Sequence, residues 1–411
     1  MARARVPYRE VLTNREFVAI VASQALSITG DQIARIAIAI TVFARTGSAL
    51  ATSATYAASY LPWLIGGPVL SSLADRYPRR TVMVVCDLGR AALVAVLLVP
   101  DLPLQALFGV LILVGLLAPP FDSARSASLP DILPGELYLT GSLVINLVLQ
   151  AAQALGFALG GVLVATVGAR TALALDVATF GVSALLLVTA VRWRPAAATE
   201  PSAGLLGDAR AGLSVVRHSR RMRALLTYAL LAMAIVIAPE GVAVAVSQSL
   251  GGGAVTAGLL TASIPFGFLL GGFVLLRVSP HRRESLLPAL CVVSAAPLLV
   301  TPFIDAAWLV VTLWVLSGTG SALQIIASAA YIQTAPAAFR SRAYGVAGTA
   351  LMGVQGLTLL LGGVLADWIG AREAVAVIAL GGLLVVPLLR ADGSGGTAVS
   401  QGTGDTRRGA Q

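Results

Sequence analysis

The chain has 411 residues, of which 57% are hydrophobic and only 11% charged. A mean hydropathy of +0.88 excludes an ordinary soluble domain, which cannot bury so much apolar surface, and points to a polytopic membrane protein. The net charge of +9 would suit a nucleic-acid ligand, but all 28 basic residues are arginine and most fall in alternate connections between apolar runs.

In chain order, residues 1–16 are a short basic arm. Twelve apolar runs follow: Phe17–Ala44, Leu50–Leu70, Thr81–Leu98, Leu102–Leu117, Leu139–Val167, Ala172–Val191, Ala224–Val246, Thr256–Leu276, Leu286–Thr301, Trp308–Tyr331, Tyr344–Ile369 and Ala374–Leu389. At about 1.5 Å of rise per residue, most can cross about 30 Å of hydrocarbon as helices. The fourth, ninth and twelfth are short and need flanking residues to complete the span. Nothing alternates as a barrel strand does, so backbone satisfaction in lipid requires helices. The first run is too long for a cleavable signal and holds Asp31 and Arg35, so it reads as a retained helix.

Arginines cluster in the arm and in every second connection. Arg45, Arg170 and Arg372 are the exceptions in the opposite connections, and Arg35 and Arg90 lie inside runs. This bias places both termini in the cytoplasm. Cys86 and Cys291 fall near that side, where a disulfide is not expected. Residues 192–223 form the longest polar connection. It has a Pro/Ala/Thr start, an amphipathic helix over Leu205–Val216 and the basic cluster Arg217-His218-Ser219-Arg220-Arg221, and it suits a linker lying on the anionic inner leaflet. Residues 391–411 are rich in Gly, Ser and Thr and read as a disordered tail.

The chain repeats itself. Leu-Gly-Gly-Val-Leu-Val-Ala-Thr-Val-Gly-Ala-Arg-Thr-Ala at 159–172 recurs as Leu-Gly-Gly-Val-Leu-Ala-Asp-Trp-Ile-Gly-Ala-Arg-Glu-Ala at 361–374. Gly66-Gly67-x-Val69-Leu70 recurs as Gly271-Gly272-x-Val274-Leu275, and Cys86 and Pro134 correspond to Cys291 and Pro336. Two six-helix halves of like orientation follow, 17–191 and 224–390.

Between the second and third runs lies Gly66-Gly67-Pro-Val-Leu-Ser-Ser-Leu-Ala-Asp75-Arg76-Tyr-Pro78-Arg79-Arg80. It resembles the signature hairpin of the major facilitator superfamily, Gly-x-x-x-Asp-Arg-x-Gly-Arg-Arg, with Pro78 in place of the usual glycine. Gly156-Phe157-Ala158-Leu159-Gly160-Gly161 resembles the antiporter motif Gly-Pro-x-x-Gly-Gly, with Phe157 in place of proline. Phe121-Asp122-Ser123-Ala124-Arg125-x-Ala127-x-Leu129-Pro130 and Pro336-x-x-x-Arg340-x-Arg342 are similar to the branch holding macrolide-efflux proteins and the enterobactin exporter. The resemblance implies an all-α, twelve-helix secondary transporter of the bacterial inner membrane. Its substrate site would lie between the halves near mid-membrane. Gly67, Asp75, Arg76, Arg79 and Arg80 would form a gating hairpin, and Gly156, Gly160 and Gly161 would pack helices closely.

No Walker A loop, zinc spacing or Ser/His/Asp constellation is present, and both histidines lie in inner connections. Neither catalysis, a cofactor nor a metal is expected, and ion-gradient coupling would need a carboxylate. Asp31 and Arg35, one turn apart within the first run, are expected to pair and to carry proton coupling. Glu240, after Pro239, is the matching acid of the seventh run. Burial and Arg35 act in opposite senses on the proton affinity of Asp31. Asn146, Gln150 and Gln153 form a polar stripe; with Gln32, Tyr60 and Trp314 they are expected to line the substrate cavity. Asp87 and Arg90 are expected to brace the hairpin. Asp176 and Asp367 are read as interface charges at outer helix ends. The fourth run, ending at Leu117, holds no arginine, unlike the best-known drug/proton antiporters. The expected partners are a small-molecule substrate, protons and the bilayer, in a monomer that binds no nucleic acid.

Overall fold

The computed structural model describes residues 8–64, 76–195, 205–336 and 339–393. Among them the chain is helical, with no strand. A short helix, α1 (Tyr8–Thr13), leads into α2 (Arg15–Thr46). Asn14 starts α2 by accepting the amides of Glu16 and Phe17 at 3.1 Å, and its own Nδ2 donates to Ile132 O at 3.1 Å. Gly47, in the left-handed region at φ 63°, ends it. Next come α3 (Ala49–Tyr60), α4 (Arg79–Val96), α5 (Leu104–Leu116), α6 (Ala118–Ile132), α7 (Glu136–Val167) and α8 (Ala169–Ala190). A connecting helix, α9 (Leu205–His218), precedes α10 (Arg220–Ser249), α11 (Ala254–Leu276), α12 (Leu287–Val300), α13 (Ala307–Ser321), α14 (Leu323–Thr334), α15 (Arg340–Ile369) and α16 (Ala371–Gly393).

Nine helices among the described residues are long and apolar enough to cross a membrane. The fourth span differs from its sequence reading. It does not stop at Leu117 but runs on through α6, so that Leu104–Ile132 forms one crossing. Pro119 and Pro120 sit in the first turn of α6, where a missing N–H breaks no ladder, so they do not end the span. Arg125 is therefore inside a helix and not in a connection. Gly67 and Asp75 of the hairpin, and the tail after residue 393, lie outside the described residues.

Buried apolar side chains divide along the chain. One cluster draws on residues 216–379 plus Ala49, and three others draw only on residues 11–191. A further cluster joins the sets, with Ile36, Tyr56 and Phe157 of the first against Ile237, Val244, Ala257 and Leu359 of the second. The repeated segment does the same work in each set. Gly168 (φ 85°) ends α7 and Gly370 (φ 105°) ends α15, in conformations that favour glycine. Two residues on, Arg170 donates to Leu98 O at 2.9 and 3.1 Å, and Arg372 donates to Ile304 O at 3.0 Å and Asp305 Oδ1 at 2.8 Å. Each arginine pins the connection of a neighbouring helix pair, which explains two of the three that break the charge bias; the third, Arg45, donates to Leu102 O at 2.9 Å.

We call the side holding α1 and α9 the arm face and the side holding Gly47, Gly168 and Gly370 the far face. At the far face the two sets touch backbone to backbone. A Cβ on Gly161 of α7 would come 2.5 Å from Ala254 O, and one on Gly258 of α11 would come 2.7 Å from Phe157 O. Ser53 Oγ donates to Gly241 O at 2.9 Å. Asp367 of α15 accepts the Ala49 amide at 2.6 Å, the Leu50 amide at 3.2 Å and Ser48 Oγ at 2.7 Å. A carboxylate of the second set thereby caps the N-terminus of α3 in the first, where helix charge favours an anion. Asp367 is thus a cross-set contact and more than an interface charge.

Candidate functional site

The far ends are packed, and a cavity of about 560 Å³ opens between the middles of the helices and the arm face. From α2 it takes Asp31, Gln32 and Arg35, and from α3 Tyr60. The α7 stripe of Asn146, Gln150 and Gln153 faces it, and across it stand Glu240 of α10, Gln324 of α14 and Gln355 of α15. The spacings of 4 and 3 along α7 put its three amides on one wall.

Asp31 and Arg35 share this cavity but do not form the expected one-turn pair. Arg35 Nη1 donates to Tyr60 Oη at 3.2 Å, and the guanidinium carbon lies 5.3 Å from the centre of the Tyr60 ring. The aromatic face and the phenol oxygen together outcompete the carboxylate one turn away. Gln32 Oε1 and Glu240 Oε1 are buried without a hydrogen-bond partner among the described residues. Such oxygens favour ligands that donate hydrogen bonds. Gly156 and Gly160 of α7 lie against α2: a Cβ on Gly156 would meet Thr29 O at 2.7 Å, and one on Gly160 would meet Ile33 Cα at 2.9 Å.

Trp314 is a correction. It is fully buried in the second core, its Nε1 donating to Thr301 Oγ1 at 3.3 Å, and it lines no part of the cavity. Its helix turns that face toward α12, and a large amphipathic ring packs there with its one polar atom satisfied. Of the other aromatic residues, Trp63 lines the cavity, whereas Phe266 is 49% exposed on the outside of the bundle.

The hairpin arginines dock within the first set. Arg79 Nη1 donates to Asp131 Oδ2 at 2.6 Å and Ala127 O at 2.7 Å. Arg80 Nη1 reaches Val188 O and Val191 O at 3.2 and 3.1 Å, and Arg76 is exposed. Asp87 and Arg90 do not brace that hairpin among the described residues. Asp87 Oδ2 accepts Ser183 Oγ at 2.6 Å, and Arg90 enters the cavity wall between the rings of Phe121 and Phe180, at 5.2 and 5.8 Å.

Sequence reasoning missed Gln24, Asp122, Arg125 and Asp176 as lining residues, along with Gln324 and Gln355. Asp122 and Arg125 of α6 face the cavity, with Arg125 Nε 3.6 Å from Asp122 Oδ1 and Gln24 Nε2 donating to Asp122 at 3.4 Å. Asp176 of α8, read as an end charge, is 1% exposed and lines the same space. The i,i+3 spacing of Asp122 and Arg125 was the available signal, had the helix been carried past the two prolines. With Arg125 in the fourth span, that span does hold an arginine.

A sequence profile of the Major Facilitator Superfamily matches residues 20–354. The uncharacterized MFS-type transporter YfiS of Bacillus subtilis (strain 168) is 25% identical over 384 residues, covering 89% of this chain and 90% of that protein. The multidrug efflux pump Tap of Mycobacterium tuberculosis (strain ATCC 25618 / H37Rv) is 26% identical over 374 residues, covering 86% and 88%. Macrolide efflux protein A of Streptococcus pyogenes is 35% identical over 82 residues, 20% of each chain. Among solved structures, the nucleoside transporter NupG superposes with a TM-score of 0.68 at 13% identity, over 92% of this chain and 98% of that one. A bacterial homologue of the human lysosomal transporter Spinster, inward-facing and occupied, superposes with a TM-score of 0.73 at 12% identity, over 94% and 97%. The family profile spans most of the chain and the solved transporters share its fold, and the chain belongs to the Major Facilitator Superfamily of multi-pass membrane transporters of small molecules.

Proposed function

We propose that the protein exports an amphipathic drug or natural product from the bacterial cytoplasm in exchange for protons, across the inner membrane. The observation that carries this reading is the mixed cavity wall. Carboxylates and guanidiniums stand beside a stripe of amides and the Tyr60 and Trp63 rings, between two sets of helices closed at the far face only. Charges inside a membrane protein are costly unless they serve a pathway. Two relatives are named as efflux proteins. In this reading the arm face is cytoplasmic. Asp31 carries the proton, with Glu240 as the alternative carrier, while Arg35 sets the field around both. Gln32, Tyr60, Asn146, Gln150 and Gln153 hold the substrate. The hairpin arginines Arg76, Arg79 and Arg80, with Gly67 and Asp75, steady the cytoplasmic side when it closes.

The test is ethidium transport by purified protein in liposomes under an imposed pH gradient. Asp31→Asn is expected to abolish uphill movement while leaving ethidium binding and downhill exchange in place. Uphill transport by Asp31→Asn together with its loss in Glu240→Gln moves the proton to Glu240. Full coupling in both variants rejects proton exchange through these acids. A second reading, export of an anionic siderophore, is favoured by Arg35, Arg90 and Arg125 on one cavity. Competition of a ferric catecholate with ethidium binding separates the two.

A further inference from the structure

Asp176 has no part in the roles assigned so far. Thr179 Oγ1 approaches its Oδ1 at 3.3 Å, and Oδ2 is buried with no hydrogen-bond partner among the described residues. Across the helix contact stands Gly30 of α2. A Cβ there would lie 2.5 Å from Asp176 Oδ1 and 2.1 Å from Thr179 Oγ1, so only glycine lets α8 bring this carboxyl so near. The next residue along α2 is Asp31, which lines the same cavity as Asp176. Other charges facing the pair are Arg35 on α2, Arg90 and Asp87 on α4 and Asp122 on α6. The nearby face of α7 adds only neutral amides. Arg90 is held between two phenyl rings and gives Asp176 Oδ2 no hydrogen bond. Two acids sharing one poorly solvated site do not ionise independently; they take up protons as a pair.

We propose that Asp176 and Asp31 form a single two-carboxyl proton site, with Asp176 as its inner member on the α8 wall and Asp31 as the member that exchanges with the aqueous opening. One proton enters from water at the cavity mouth, is shared by the two carboxyls and returns to water; no other reactant takes part. This rests on the proton-coupled reading of the cavity, but it can be tested without transport.

The experiment is a pH titration of the carboxylic-acid C=O infrared band of purified full-length protein, comparing wild type with Asp31→Asn, Asp176→Asn and Gly30→Ala. Each Asn variant is expected to remove one titrating component and to move the midpoint of the other by about one pH unit or more. Gly30→Ala keeps both acids but forces them apart, and is expected to move both midpoints. If Gly30→Ala fails to fold, the two isosteric Asn variants decide the matter alone. An Asp31 midpoint unchanged by Asp176→Asn, or no titrating component lost in Asp176→Asn, overturns the pair. Linked midpoints without pH-driven ethidium transport would overturn the antiport reading and leave the pair standing.

Discussion

Tyr60 decides where Arg35 points, and so what the cavity offers a ligand. Its oxygen takes the Arg35 Nη1 proton at 3.2 Å while its ring lies under the guanidinium. Tyr60→Phe keeps the ring and removes the acceptor. Arg35 is then free to reorient in the cavity, so ethidium affinity in detergent is expected to fall, with Tyr60→Ala worse. Unchanged affinity in both variants would remove Tyr60 from the binding site. Trp314 supplies the contrast. Trp314→Ala empties a fully buried site in the second core and is expected to cost about 3–5 kcal/mol of stability. The thermal midpoint should drop while the folded fraction binds ethidium normally. The two aromatic residues look alike in the sequence, because the face on which a helix meets its neighbours is set by packing and not by residue type.

At the scale of elements, glycine and aspartate positions bring the two sets into direct contact at the far face. The repeat around Gly168 and Gly370 was legible because it recurs, and its part is now physical: each glycine ends a helix and places an arginine over the next connection. The fourth span was legible only as far as its apolar run. Pro119, Pro120 and the polar pair Asp122 and Arg125 look like a loop to any reading based on hydropathy, yet they continue a helix whose polar side faces the cavity. Asp176 was misplaced for a related reason, since its neighbours Gly30 and Asp31 lie on another helix. The Asp367 cap of α3 yields a prediction at this scale. Three hydrogen bonds to one carboxylate hold the far face shut. Asp367→Ala should weaken that closure by about 1.5–3 kcal/mol. In a background with Cys86 and Cys291 replaced by serine, the buried Ala257→Cys should then react with a water-soluble maleimide about tenfold faster or more. An unchanged rate would mean that the glycine contacts alone keep the face closed.

For the whole molecule, the arginine bias and the cavity make one joint statement about sidedness. Twelve apolar runs, a repeat and the charge bias made the fold legible, because length and composition suffice to place helices across a bilayer. Which face is open is a property of how the sets lean together, and no single helix encodes it. Here the far face carries the cross-set contacts of Gly161 with Gly258 and Asp367 with α3, while the cavity is displaced toward the face of α1 and α9. If the arm face is cytoplasmic, a single cysteine at Ser202 or Ser394 in the cysteine-free background should be labelled only from the inside of right-side-out vesicles. Gln324→Cys on the cavity wall should likewise react from that side in the resting protein. Adding a Gly258→Leu change should reverse the second result but not the first. A bulky side chain 2.7 Å from the Phe157 carbonyl prevents the far face from closing, so the cavity should open to the outside while the termini stay inside. Outside-only labelling at Ser202 or Ser394 would invert the orientation. Labelling of Gln324→Cys that ignores Gly258→Leu would show that the two faces do not open in alternation.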